Sequence, residues 1–448
     1  MQNNLAQGNL LKNMVRFSLP YLFSYFLQTL YGLADLFIAG QFNGADVISA
    51  VSIGSQIMHM VTVMIVGLAM GAAVMIGRAV GAQQHDTLRR IVGNTIVLFV
   101  IVAAAATALL LTAVSGIVSL MSTPPEAVAD TEKYLTICFA GIPFIVAYNV
   151  LSSIYRGMGD SKTPMYFIIV ACIVNIGLDI LFMGPLHMRA AGAAFGTVIA
   201  QAVSVVFALV SIRRNRSMSL QLTRDCLRPN RPILKKILGI GVPIMCQDGF
   251  IQVSFLVITV IANQRGVEIS AAVGIVEKTI SFLFLVPSTM LSTVSTIASQ
   301  CFGAGDGERA RQTMRYGIYI AAGIGAVFAV LFQFISGPFF SLFTSDAVVR
   351  DFAVQYMRTY VIDCIFAGIH FQFSGFFSAA GSAAGVSIYS FIHNLISVLC
   401  VRIPGAWLAT KMFPDTLYAM GLAAPAGSVL SVIICVLFYR HLRKTGRV

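Results

Sequence analysis

The sequence predicts an all-α polytopic membrane protein, with twelve transmembrane helices in two six-helix lobes related by an internal parallel repeat. Three observations carry that prediction. Of 448 residues, 57% are hydrophobic and only 11% are charged, whereas soluble domains carry about 25% charged residues. The apolar residues fall in long runs close to the roughly 20 residues that cross a hydrocarbon core, and the short alternating segments of a membrane barrel are missing. Distant parts of the chain also match one another at a nearly fixed spacing.

Twelve apolar runs lie near 14–39, 47–76, 91–117, 133–155, 163–184, 190–212, 236–262, 270–299, 316–341, 354–377, 386–410 and 418–439. The first is too long for a signal-peptide core and no small-residue cleavage pattern follows it, so it is read as a retained span. The eight cysteines are scattered and form no CxxC pair, as expected of small core residues rather than a disulfide frame or metal site. Lone histidines at His59, His370 and His393 have no partner at metal-ligand spacing, and a hydrogen-bonded structural role is expected for each. The "GAGDG" at 303–307 lacks the GxxxxGK[ST] pattern and strand–helix setting of a phosphate loop and reads as a turn. Pro164 and Pro185 read as span boundaries, while Pro143, Pro287 and Pro404 are boundaries or hinges.

The basic residues orient the spans. With the N-terminus inside, 22 of the 30 Lys and Arg residues fall in inner segments and 6 in outer ones, leaving Lys278 and Arg402 within spans. This bias puts both termini in the cytoplasm of a multi-pass protein of the cell (inner) membrane. The net charge of +12 is thus a topology signal, and no nucleic-acid partner is expected. The longest polar stretch, beginning "RRNRSMSLQLTRDCLRPNRP" at 213, divides the spans six and six. The expected organisation is a lobe at 1–212, a basic cytoplasmic linker at 213–235 and a second lobe at 236–448.

"GRAVGAQQHDTLRR" (77–90) and "SQCFGAGDGERARQ" (299–312) align Gly81 with Gly303 and Arg89 with Arg311, an offset of 222. The same offset pairs Ser119 with Ser341, Tyr134 with Tyr356 and Gly159 with Gly381, and Pro20 nearly matches Pro243 at 223. A duplicated unit of six spans enters the membrane twice from the same side. This parallel repeat suits carriers whose two halves alternate access to a central site.

Five acidic residues lie inside spans: Asp35, Asp179, Asp248, Glu277 and Asp363. An ionised side chain at the bilayer centre costs about 2.5–3.5 kcal/mol on insertion scales, and such residues are functional by default. Asp35 in span one and Asp179 in span five sit at similar outward depth. Asn175 precedes Asp179 by one turn, and Ala193 and Thr197 share a face of span six. Two carboxylates, an amide, a hydroxyl and a backbone carbonyl of one lobe can therefore converge. Such an oxygen set suits Na⁺, and it equally suits a proton held by a close carboxyl pair that titrates as a unit. The plainer alternative is interhelical glue, since polar contacts between membrane helices average about 0.6 kcal/mol.

"SLPYLFSYFLQTLYGLADLFIAG", "GRAVGAQQHDTLRR", "YRGMGDSKTPM" and "NIGLDILF" resemble the multidrug and toxic compound extrusion (MATE) family, in the expected order and across nearly the whole chain. The resemblance implies a V-shaped pair of lobes, working as a monomer, that exports lipophilic and often cationic small molecules in exchange for H⁺ or Na⁺, without other cofactors. It maps the N-lobe coupling site onto Asp35, Asn175, Asp179 and Thr197, with Ala193 as a carbonyl donor. Asp363 resembles a second acidic site of some branches, but span seven offers Asp248 and Gln252 rather than a clear Glu. Glu277 and Lys278, on different faces of span eight, complete the C-lobe candidates, and Arg402 reads as a snorkelling anchor. A related reading is a flippase for lipid-linked saccharides or other amphiphiles, which needs cations in its cleft; only Lys278 and Arg402 qualify. An intramembrane enzyme is not expected, because no HExxH, GxSG or Cys/His cluster occurs.

Overall fold

Helices are the only way a single lipid-embedded chain of this composition can satisfy its backbone within each segment. The computed structural model describes residues 5–121, 123–214, 223–381 and 385–446, and among them there are helices and turns but no strand. Ten helices are long and apolar enough to cross a membrane, and two bent helix pairs bring the spans to twelve. They are α1 (Leu10–Phe42), α2 (Ala45–Gly81), α3 (His85–Leu120), α4 (Pro125–Ala140 with Ile142–Gly157), α5 (Lys162–Met183) and α6 (Arg189–Arg214). The second set is α7 (Arg231–Asn263), α8 (Val267–Leu283 with Leu285–Gly303), α9 (Gly307–Phe340), α10 (Ala347–Tyr360 with Asp363–Ala380), α11 (Ile388–Met412) and α12 (Tyr418–Lys444). Large side chains such as Leu109, Ile173 and Phe334 are exposed on these helices, which suits a lipid surround.

The bends have distinct causes. In α4 the two segments meet at 49° across Gly141. Pro143 sits at the second position of the new segment, where its missing N–H is harmless, so it marks the start of that segment. The α10 bend of 42° across Val361 and Ile362 has no proline, and Asp363 opens its second segment. α11 contains a π turn at Val398–Arg402 just before Pro404. Such turns insert one extra residue and are frequent at functional sites.

The chain forms two compact units. One contains Leu19–Gly241; the other contains Leu5–Ser18 and Val242–Val448. The division therefore runs through the first helix of each set, at the same place in both, one residue short of Pro20 in α1 (Ser18 to Leu19) and of Pro243 in α7 (Gly241 to Val242). Leu10, Met14 and Phe17 of α1 belong to a core with Met290, Met314 and Phe376 of the second unit. The Leu5 N–H donates to Gln300 Oε1 at 2.9 Å and the Arg309 guanidinium to the Gly8 carbonyl at 2.6 Å.

Close helix crossings are made by glycine. A Cβ on Gly241 would lie 2.4 Å from the Leu68 carbonyl, and one on Gly71 would lie 2.3 Å from the Ile237 carbonyl. The expected linker falls partly on residues 215–222, outside the described residues. Of its remainder, 213–214 end α6, 231–235 open α7 and Arg224–Leu227 form a short 3₁₀ turn. That turn docks on α3, where Asn94 donates to the Cys226 carbonyl at 3.4 Å and accepts from the Asn230 N–H at 2.6 Å.

At one end of the first unit, Arg189 joins three helices. It donates to Asp130 of α4 at 2.6 and 3.0 Å and to Asp46 of α2 at 2.5 Å. The guanidinium holds the Asp46 carboxyl below its ordinary range.

Two outcomes are expected. Gly241→Ala, which places a methyl against backbone, lowers the thermal unfolding midpoint. Gly239→Ala, whose Cβ meets nothing within 4 Å, raises stability by about 0.5–1 kcal/mol. Circular dichroism melts of the two variants in the same detergent check this pair. For the Arg189 ion triad, Asp46 is depressed by its partner, so its contribution is present at neutral pH and disappears as pH falls through the folded-state pKa. Arg189→Gln therefore destabilises the protein at neutral pH, and its difference from wild type shrinks below about pH 4, as read by melts across a pH series.

Candidate functional site

The first unit buries both expected carboxyls. Asp35 of α1 is 2% exposed and Asp179 of α5 is fully buried, with Asn175 one turn before it and Thr197 facing from α6. Asn175 Nδ2 donates to Asp179 Oδ2 at 3.2 Å, and Thr197 Oγ1 donates to Asp35 Oδ2 at 3.5 Å. The two carboxyls act on each other electrostatically. Ala193 is buried one turn before Thr197 on the same face; its side chain offers no ligand and its carbonyl lies inside the regular helix.

A glycine makes the convergence possible. A Cβ on Gly196 of α6 would lie 2.0 Å from Asp179 Oδ1, so α6 approaches α5 closely only because that position is bare. The same logic places Tyr134 of α4, whose ring occupies the space where a Gly54 side chain would stand.

Four neighbours were missing from the sequence expectations. Tyr31 acts on Asp35 from one turn earlier in α1 and stands beside Gln201, one turn after Thr197 in α6. Cys138 bonds Tyr134 and acts on both carboxyls. The i, i+4 spacing of Tyr31 to Asp35 and of Thr197 to Gln201 was the available signal.

Three buried oxygens of this set, Asp35 Oδ1, Asn175 Oδ1 and Asp179 Oδ1, accept no hydrogen bond. Among the described residues no Lys, Arg or His acts on either carboxyl. Two buried carboxyls without a basic partner are costly. A proton on the pair, or a Na⁺ bound to its oxygens, supplies the missing charge; the donor set is all oxygen, as a hard cation prefers. No group of three His, Cys, Asp or Glu side chains that suits a metal ion occurs among the described residues.

The C-lobe candidates do not gather in the same way. Glu277 of α8 accepts from Thr259 Oγ1 at 3.1 Å, and Asp363 is 1% exposed and bonded by Ser428 of α12. Lys278 is exposed, Gln252 is partly buried, and no charged group acts on Asp248. Arg402 is not the snorkelling anchor expected. It is 7% exposed, donates to the Tyr360 hydroxyl at 2.5 Å and lies 4.8 Å from the Phe255 ring centroid. The π turn carries it into the lobe rather than out to the headgroups.

His370 and His393, read as lone, have ring centroids 5.5 Å apart. His393 bonds Ser374 at 2.8 Å and Ser431 at 3.2 Å, the structural role expected of it.

The MatE family model matches residues 20–181 and 243–408, one match in each half of the duplication. The probable multidrug resistance protein YoeA of Bacillus subtilis is 25% identical over 98% of this chain and 95% of its own length. YpnP of the same organism, also a probable multidrug resistance protein, is 27% identical over 98% and 97%. The multidrug export protein MepA of Staphylococcus aureus is 22% identical over 94% of each. Among solved structures, a MATE protein in complex with MaL6 superposes with a TM-score of 0.91 at 21% identity, covering 99% of both chains. An outward-facing multidrug resistance MATE transporter gives 0.91 at 22%, covering 100% and 98%. The fold expected from the sequence is the one found, and the chain belongs to the MatE family.

Proposed function

We propose that this chain is a cation-coupled antiporter of the cell membrane. It exports lipophilic, often cationic compounds by alternating access, with both termini in the cytoplasm. The observation that carries the reading is the buried Asp35–Asp179 pair, which has no basic partner of its own. H⁺ or Na⁺ is the coupling ion, no other cofactor is needed, and the protein works as a monomer. The multidrug names of YoeA, YpnP and MepA support the substrate class.

Loading a cation changes the pair from mutually repelling to bridged, and it favours whichever lobe conformation brings the carboxyls together. The ion shifts the equilibrium only by its differential affinity for the two states. The flippase reading is weaker, because Arg402 is committed to Tyr360.

The test is ethidium efflux from proteoliposomes driven by a pH gradient alone or a Na⁺ gradient alone. One gradient drives the wild type, and Asp179→Asn falls to the level of empty vesicles while its melt and elution profile stay normal. Asp179→Asn pumping like wild type would leave the pair as interhelical glue and sink the proposal. Gly196→Ala supplies a charge-neutral check: its methyl displaces the Asp179 carboxyl and lowers the coupled rate without removing a titratable group. An unchanged rate in that variant would show that the close α5–α6 approach is irrelevant to coupling.

A further inference from the structure

The two lobes treat equivalent positions with opposite charge. Asp179 plus 223 is Arg402, the offset that also relates Pro20 to Pro243. From Gly81 to Gly159 the offset is 222, and the π turn at Val398–Arg402 supplies the one extra residue that makes it 223 at Asp179. Packing gives the same correspondence without reference to numbering. In the first unit a Cβ on Gly196 would strike Asp179; in the second a Cβ on Gly427 would lie 2.9 Å from Ser397 Oγ and 3.4 Å from Arg402 Cβ. The residue after each glycine is a hydroxyl that meets a carboxyl, though on non-equivalent helices: Thr197 bonds Asp35 of α1 and Ser428 bonds Asp363 of α10. Asp179 with Gly196 and Arg402 with Gly427 are thus the same crossing in two copies.

We propose that Arg402 is a tethered counter-cation that stands in for a coupling ion in the C-terminal lobe, so that this lobe loads none. The proposal rests on the cation-coupling reading of the first lobe. Its surroundings are those of a fixed charge. The hydroxyl of Tyr360 accepts from it, and its guanidinium lies over the Phe255 and Tyr360 rings at 4.8 and 5.8 Å. Asp363 and Tyr356 of α10 and Glu277 of α8 act on it electrostatically, and it acts in turn on His370. Cys364 is next to Asp363, and Lys278 acts on Glu277. No direct ion pair within 4 Å involves it among the described residues, and its Nε, Glu277 Oε1 and Asp363 Oδ1 are unpartnered. The guanidinium therefore balances the carboxyls without touching them, in low dielectric where charges act strongly at a distance.

The charge count separates the lobes. Asp363 and Glu277 both face the buried Arg402, and Glu277 also faces the exposed Lys278, whereas among the described residues Asp35 and Asp179 face no cation; Asp248 of the second lobe stands apart, with no charged group acting on it. A guanidinium stays protonated at any working pH, so its seat never empties.

The experiment uses the full-length protein in lipid nanodiscs, carrying Asp179→Asn to silence the first lobe, with unfolding midpoints read in NaCl and in choline chloride. The expected midpoint is the same in both salts. Adding Arg402→Gln lowers it by several degrees and creates a dependence on Na⁺, and adding Asp363→Asn as well recovers most of the loss and removes that dependence. A purely packing role for Arg402 predicts no rescue by Asp363→Asn. The proposal is overturned by Na⁺ sensitivity in the Asp179→Asn protein itself, by an unchanged midpoint on Arg402→Gln, or by failure of the rescue. If Arg402→Gln does not fold, recovery in the double substitution still reads the charge balance, and the Asp179→Asn salt comparison needs no change at Arg402. Failure of the first-lobe reading appears separately, as coupled ethidium efflux that survives Asp179→Asn.

Discussion

Among the described residues no basic side chain acts on the buried carboxyls of Asp35 and Asp179, and the architecture around them follows from that deficit. An isolated buried carboxylate is tolerated only with a proton, a cation or several donors. Asn175 and Thr197 supply one hydrogen bond each, fewer than two carboxylates demand. The pair is therefore short of both charge and donors, and this sets it apart from a structural ion pair.

Holding such a site requires helices closer together than ordinary side chains permit. Lipid tails are as apolar as leucine, so helices in a bilayer associate through tight packing rather than a hydrophobic drive. Gly196 lets α6 reach the Asp179 carboxyl, Gly54 makes room for Tyr134, and Gly71 and Gly241 bring α2 and α7 to backbone contact. In the second unit Gly325 and Gly368 do the same between α9 and α10, where a Cβ would lie 2.5 Å from the Cys364 carbonyl and 2.8 Å from Ala321. These bare positions fix the depth and rotation of the polar side chains.

Much of this was legible in the residues. The twelve spans follow from run length, because hydrocarbon thickness sets helix length. The convergence of Asp35, Asn175, Asp179 and Thr197 follows from depth and the four-residue helical period. What was hidden depended on contacts between distant segments. The α10 bend has no proline to announce it, although Asp363 lies 222 residues after Gly141, where α4 bends. Arg402 looked like an interfacial anchor because its distance from the span end suggested snorkelling; the π turn, which leaves no composition signature, redirects it. The pairing of His370 with His393 bridges two spans and has no local periodicity.

The duplicated halves share a packing scheme and differ in where their charge is kept. If both lobes loaded ions, each would change its conformational preference on loading, and the two transitions would need to be coordinated within every cycle. A lobe whose carboxyls already face Arg402 and Lys278 gains little from a further cation, and a ligand without differential affinity shifts no equilibrium. Asp179 and Arg402 at equivalent crossings thus leave the conformational response to one lobe, while the other serves as a frame whose electrostatics do not vary with ion supply. Duplication provided two similar six-helix units, and a reversal of charge at one crossing made them unequal partners in the cycle.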